Sequence, residues 1–210
     1  VEGHWFGNAC GNEFSVPAWQ FSACWPGRYA KWTFLPDLGR GEGCMGLSPV
    51  TAPSATSFED APCLEYQVYF PKTGTQTVCL GVLPAQDVVP ERGLRLAFGL
   101  DGGIVRTLDA RQGFVDTFRE YTPKNLKNSP KLKPLPPRNK SLKLIKGDGF
   151  CRNEIFDNLR WIVAEFEVEK PGLHTFKVYM VDPEIVLEQL VFNPDNAHPS
   201  YFGAPSVRHQ

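Results

Sequence analysis

The sequence predicts an all-β protein, an antiparallel β-sandwich with long loops, and three observations carry that expectation. Glycine and proline occur 19 times each among 210 residues, about 18% together against an average of about 12%, which leaves little room for long helices. Several segments alternate apolar and polar residues with a period of two, the pattern of half-buried strands. Clusters of Gly, Pro, Asp and Asn separate them, as turns between short strands require. A content of 42% hydrophobic and 12% aromatic residues excludes wholesale disorder. No run approaches the roughly 18 apolar residues of a membrane-spanning helix, so no membrane insertion is expected.

In chain order, the first 28 residues are aromatic and glycine-rich without a helical period, and predict irregular structure around one short strand near His4 to Phe6. Tyr29 to Leu35 reads as a strand, stopped by Pro36 and the glycine run from Gly39 to Gly46, and Ser48 to Ser57 reads as a loop. Leu64 to Phe70 and Thr75 to Leu80 flank Pro71-Lys72-Thr73-Gly74 and read as a hairpin. Leu94 to Leu100 and Ile104 to Leu108 flank Asp101-Gly102-Gly103 and read as a second one. Gly113 to Glu120 reads as a short strand or turn, and Asn153 to Asn158 as one helical turn. Leu159 to Val168, His174 to Val181 and Ile185 to Phe192 complete eight or nine strands, divided by Glu169-Lys170-Pro171-Gly172 and by Asp182-Pro183. Such a series suggests two packed sheets in one domain spanning residues 1–210.

The formal charge of −1 hides an asymmetry. Residues 124–146 hold seven lysines and Arg138, with no acid and with Pro130, Pro134, Pro136 and Pro137, so the rest of the chain carries −9. This basic, proline-rich loop insert favours extended, solvated chain; its sharper reading is contact with an anionic polymer. A nucleic-acid partner is not expected.

Six cysteines include no C-x-x-C pair, which removes the main signature of zinc ribbons and thioredoxin-like redox sites. Disulfides and buried thiols remain equal alternatives, with Cys10 and Cys24 the first pair to consider. The chain starts without a signal sequence, so any such peptide is expected to have been removed or to lie upstream.

Catalysis finds little support. Gly41, Gly43 and Gly46 form a literal G-x-G-x-x-G, but Leu47-Ser48-Pro49 follows where a nucleotide site needs a helix. Asp101, Asp182, Glu154 and Glu165 are candidate acids, although Asp101 occupies a hairpin turn and Asp182 precedes proline, both common structural uses. His174 falls in a predicted strand, where a structural role is expected. No G-x-S-x-G or H-E-x-x-H occurs, and no catalytic residues are assigned.

Carbohydrate recognition fits better, because it needs flat aromatic faces for sugar rings and a few polar groups for hydroxyls and carboxylates. Four of five tryptophans, Trp5, Trp19, Trp25 and Trp32, lie in the first 32 residues. The candidate binding residues are Trp19, Trp25, Trp32 and Tyr201 for stacking, and Arg40, Lys124 and Asn153 for polar contacts. Core packing is the competing use of each tryptophan, and the favoured one for Trp32.

Several ordered segments resemble the C-terminal all-β domain of family 115 glycoside hydrolases, the xylan α-glucuronidases. They include Trp32 ahead of Leu38-Gly39-Arg40, Ala61-Pro62-Cys63-Leu64-Glu65-Tyr66, Val82-Leu83-Pro84, Gly93-Leu94-Arg95 and Leu100-Asp101-Gly102. The most specific are Pro171-Gly172-Leu173-His174-Thr175-Phe176, the block from Val181-Asp182-Pro183 to Val191, and Ser200-Tyr201-Phe202-Gly203-Ala204-Pro205. The resemblance implies a galactose-binding-like jelly roll, non-catalytic, excised from a secreted, periplasmic or cell-surface enzyme of plant cell-wall polysaccharide. The N-terminal segment and the basic insert depart from that pattern. The expected function is therefore a carbohydrate-binding module for acidic glycans such as pectin or glucuronoxylan, with the upstream catalytic domain as its partner in the chain. The alternative is a structural or dimerisation domain without its own ligand. No cofactor is required; a structural calcium, with Glu2 among its oxygen ligands, is compatible with such a module.

Overall fold

The structure, a computed structural model, describes residues 4–6, 13–85, 89, 92–111, 158–194 and 207–209. Gly113 to Glu120, the basic insert and the helical turn from Asn153 lie outside these residues. Among the described residues there are thirteen strands and no helix.

The strands are β1 (His4–Phe6), β2 (Phe14–Pro17), β3 (Ala23–Trp25), β4 (Lys31–Pro36), β5 (Gly43–Ser48), β6 (Cys63–Phe70) and β7 (Gly74–Val82). They continue with β8 (Arg95–Leu100), β9 (Arg106–Asp109), β10 (Arg160–Val168), β11 (Gly172–Met180), β12 (Leu187–Phe192) and β13 (Val207–His209). One sheet runs β13-β1-β6-β11-β8-β9 with β3 also on β6; the other runs β10-β7-β12-β5-β4 with β2 also on β12. Among the described residues every pairing is antiparallel except β1 with β6, where Trp5 lies opposite Val68. The expected antiparallel sandwich is what forms.

Alternation dictates the layering. In β6, Leu64, Tyr66, Val68 and Phe70 turn inward, and in β11 His174, Phe176, Val178 and Met180 do the same. Val78, Leu80 and Val82 of β7 meet them from the opposite sheet. Phenylalanines fill the centre: Phe14 stacks on Phe192 at 4.8 Å, and Phe176 meets Phe192 edge-on at 5.1 Å. Such offset and edge-on pairs add about 0.5–1.5 kcal/mol each beyond area burial.

Two local expectations are corrected. The β8–β9 hairpin forms, with Phe98 opposite Arg106 across the Asp101-Gly102 turn. The expected β6–β7 hairpin does not: β6 pairs with β11 and β7 with β10 and β12, so Pro71-Lys72-Thr73-Gly74 carries the chain between sheets. Both strands have an apolar inner face, and facing one another buries both faces at once. The glycine run is also not all turn, since β5 starts at Gly43. Gly46 stays inside β5 because a Cβ there would lie 2.6 Å from Cδ1 of Leu35.

Candidate functional site

A cleft of about 230 Å³ opens between the turn that ends β2 and the loop joining β4 to β5. Pro17, Trp19 and Gln20 form one wall, Arg40 to Gly43 form the other, and Glu188 and Gln189 of β12 line it between them. The first wall is set by Pro17, whose carbonyl accepts the Gln20 N–H at 2.9 Å, while Ala18 N–H donates to the Glu188 carbonyl at 2.8 Å. The Trp19 ring leans on Phe34 at 5.9 Å, and Phe34 is itself exposed.

The second wall is tied down by one buried carboxylate. The register shifts between Leu187 and Gln189, which places Glu188 in a bulge of β12. Its Oε1 accepts the backbone N–H of Arg40 at 2.6 Å. The approach is close enough that Gly39, at φ +90°, has no room for a Cβ, which would lie 2.7 Å from the Cys44 Sγ and 2.9 Å from the Glu188 Cδ. Only glycine meets both the left-handed backbone and the contact. The Arg40 and Gly41 amides thus face Glu188 and a strand follows, so the G-x-G-x-x-G run lacks the helix of a phosphate site.

Burial pushes the Glu188 carboxyl above its ordinary value, opposed by the Arg40 N–H, the Arg40 charge and the Gly41 N–H. The Arg40 side chain is 4% exposed, with Nε 4.0 Å from Glu188 Oε1 and Cζ 5.5 Å from the Trp161 ring centre. Arg40 is therefore a buried member of the wall, which corrects the expectation of an open partner for uronate. Cys44 donates to the Leu38 carbonyl at 3.1 Å. Burial, with Glu188 second, pushes its thiol up to about 12.

Of the other expected residues, Trp25 is 56% exposed on β3 and lies away from the cleft, opposite Cys63 of β6. Trp32 is 5% exposed in the core cluster, so it offers no face to a ligand; its inward place on β4 is the packing use that alternation favours. Lys124, Asn153 and Tyr201 lie outside the described residues, as do Glu2 and Glu154. Cys24, Cys44, Cys63 and Cys79 are free thiols, so Cys24 does not form the pair with Cys10.

Two of the candidate acids, Asp101 and Asp182, have structural partners. Asp101 meets His174 Nδ1 at 2.5 Å and accepts the Thr175 N–H at 2.8 Å, while His174 Nε2 faces the Lys170 carbonyl at 2.8 Å. These contacts join the β8–β9 turn to the β10–β11 turn beside a second cavity of about 500 Å³. Among the described residues, no group of three or more His, Cys, Asp or Glu comes together to hold a metal ion, and no helix is long and apolar enough to cross a membrane. The cleft can hold a small ring against Trp19 and present amide, carboxylate and backbone groups to its hydroxyls. Glu188 and Gln189 were missed in the sequence; an acid inside the apolar run from Ile185 to Phe192 was the available signal.

Comparison with known proteins places these features in a family. The model of the glycosyl hydrolase family 115 C-terminal domain matches residues 12–120 and 150–206, breaking across the interval that holds the basic run. Among solved structures, a family 115 4-O-methyl-α-glucuronidase with specificity for decorated arabinogalactans is similar at 14% identity and a TM-score of 0.48. The similarity covers 84% of this chain and only 18% of that enzyme. The C-terminal family 6 carbohydrate-binding module of a laminarinase from Zobellia galactanivorans gives 14% identity and 0.48, covering 87% of this chain and 99% of the module. A family 35 module from Clostridium thermocellum gives 10% and 0.47, covering 87% and 98%. No curated protein sequence matches the chain. The family match spans most of the chain and both sheets of the sandwich, and the chain belongs to the family 115 glycosyl hydrolase C-terminal domains.

Proposed function

We propose that this domain is a non-catalytic carbohydrate-binding module that holds a family 115 glycoside hydrolase on plant cell-wall polysaccharide outside the cytoplasm, with acidic glycans such as pectin or glucuronoxylan as preferred polymers. The observation that carries the reading is the cleft walled by Trp19 and lined by Gln20, Glu42 and Gln189. An aromatic face with convergent polar groups is what a sugar ring needs. The preference for acidic polymers rests on the basic run of residues 124–146. Exposed ion pairs contribute only about 0–1 kcal/mol each, so salt weakens binding and stacking supplies the remainder.

Affinity electrophoresis and calorimetry against a polysaccharide panel test this. Retardation by at least one acidic polymer is expected; no retardation by any polysaccharide overturns the proposal. Trp19→Ala is expected to lower affinity about tenfold, the equivalent of 1.4 kcal/mol, with the fold retained by circular dichroism. A second reading, a structural or dimerisation domain, draws on the exposed Trp25, which precedes the turn where Gly27 N–H bonds the Ala30 carbonyl, and on the exposed Tyr29 within that turn. Light scattering that shows a stable dimer, combined with no glycan binding, favours it.

A further inference from the structure

The charges around the cleft are not those of a uronate site. Among the described residues its lining includes one cation, Arg40, whose side chain is 4% exposed and whose Nε lies 4.0 Å from Glu188 Oε1. The guanidinium also lies over the Trp161 ring. Its positive charge is thus already opposed by a buried carboxylate and covered by an indole. Glu42, in contrast, is exposed and lines the same cleft. The remaining polar groups are the amides of Gln20 and Gln189 and the backbone from Gly41 to Gly43. Among the described residues, a carboxylate brought into this space meets a like charge from Glu42 and no exposed cation, and like charges at a few ångströms repel strongly where solvent is partly excluded. A hydroxyl meets acceptors and donors without that penalty.

The size of the space points the same way. At about 230 Å³ the cleft falls below the roughly 300–1,000 Å³ typical of drug-sized ligands, so it suits a single ring. We propose that this cleft selects one uncharged glycosyl residue of the polymer, with Glu42 as the specificity-determining side chain that rejects a uronate. The inference rests on the carbohydrate-binding reading and deepens it. An acidic polysaccharide is then held at the cleft through a neutral unit against Trp19, while the preference for acidic polymers still rests on the basic run of the sequence. Negative selection by one placed charge is a common source of specificity.

Protein-observed NMR titration of the full chain reads the cleft itself, because it follows the Trp19 indole and the Gln20 side-chain amide directly. The probes are methyl β-xyloside and methyl β-glucuronoside, each one ring in size. The xyloside is expected to bind at least about fivefold more tightly than the glucuronoside. Glu42→Gln is expected to bring the two within about twofold by strengthening the glucuronoside alone, and Glu42→Lys to reverse their order. Glu42 is exposed and bonds the rest of the loop through its carbonyl, which accepts the Asp37 N–H, so neither substitution removes a side-chain contact that the fold requires. Equal or tighter binding of the glucuronoside by the unsubstituted chain overturns the inference, and so does a preference that survives Glu42→Gln. If polysaccharides bind but neither glycoside moves the two signals, the inference falls and the binding-module reading stands. If no polysaccharide binds, that reading falls as well.

Discussion

Two buried carboxylates stand six residues apart at the junction of the sheets, and their surroundings differ sharply. Asp182 has no exposed side-chain surface. Arg95 Nε and Nη2 donate to it at 2.9 and 3.1 Å, the Arg95 N–H at 2.8 Å and the Ser54 hydroxyl at 2.6 Å. Both oxygens are satisfied, and the group ties β8 and the loop before β6 to the β11–β12 turn. Glu188 is nearly as buried, yet Oε1 takes the Arg40 N–H while Oε2 has no hydrogen-bond partner among the described residues. A saturated buried acid is a fastening, whereas a partly satisfied one carries a desolvation penalty that the fold bears only where something local requires it. Here that requirement is the glycine loop, whose position forms the cleft.

The largest effect is expected at Asp182. Asp182→Ala leaves the Arg95 guanidinium and the Ser54 hydroxyl without their acceptor, and breaking a buried pair costs about 3–5 kcal/mol. Arg95 is 37% exposed, so water rehydrates part of it and the low end, about 3 kcal/mol, is expected in equilibrium urea unfolding. A loss below about 1 kcal/mol would reduce Asp182 to an ordinary surface substitution. Glycan binding is expected to survive wherever the variant is folded.

Glu188 gives a smaller effect with a diagnostic sign. In Glu188→Gln the retained carbonyl oxygen still accepts the Arg40 N–H while the buried charge is removed, so stability near neutral pH is expected within about 1 kcal/mol of the unsubstituted chain. Burial raises the folded carboxyl above its ordinary 4.5, so the folded state holds the proton more firmly than the unfolded one. The stabilisation linked to that proton is complete below about 4.5 and is lost as pH rises through the folded value. Acidifying from neutrality is therefore expected to favour the unsubstituted chain over Glu188→Gln in thermal melts taken across pH 4 to 8. The opposite trend would mean that Arg40 and the loop amides outweigh burial.

These two acids also show what a sequence conveys. Alternation located β6, β8, β10, β11 and β12 to within a few residues, because each has one face in the core. It did not distinguish a hairpin from an arch at Pro71 to Gly74, since the same turn residues serve strands that pair and strands that face one another. Trp19 and Arg40 were both named from composition and spacing, but their meeting depends on a bulge at Glu188 that no local pattern encodes. The burial of Arg40 followed from Trp161, more than a hundred residues away in sequence. Trp32 illustrates the reverse case, in which strand periodicity already pointed inward.

The smallest effect is expected at Trp25. It lies opposite Cys63, and Cys63 is in turn opposite Tyr179, three residues before Asp182. Its strand position is thus toward the saturated acid, and Trp25 is not among the residues that line the cleft. With 56% of its surface exposed, Trp25→Ala is expected to change stability by no more than about 0.5 kcal/mol. If a long polysaccharide reaches across that face, the substitution weakens polymer binding about threefold, a stacking contribution near the lower end of 0.5–1.5 kcal/mol, and leaves the one-ring glycosides unaffected. Calorimetry with polymer and NMR with methyl β-xyloside, run on the same variant, read the two separately. Loss of glycoside binding would place Trp25 within the same site as Trp19. Unchanged polymer affinity would remove it from the binding surface and confine recognition, among the described residues, to the end of the sandwich that Glu188 organises.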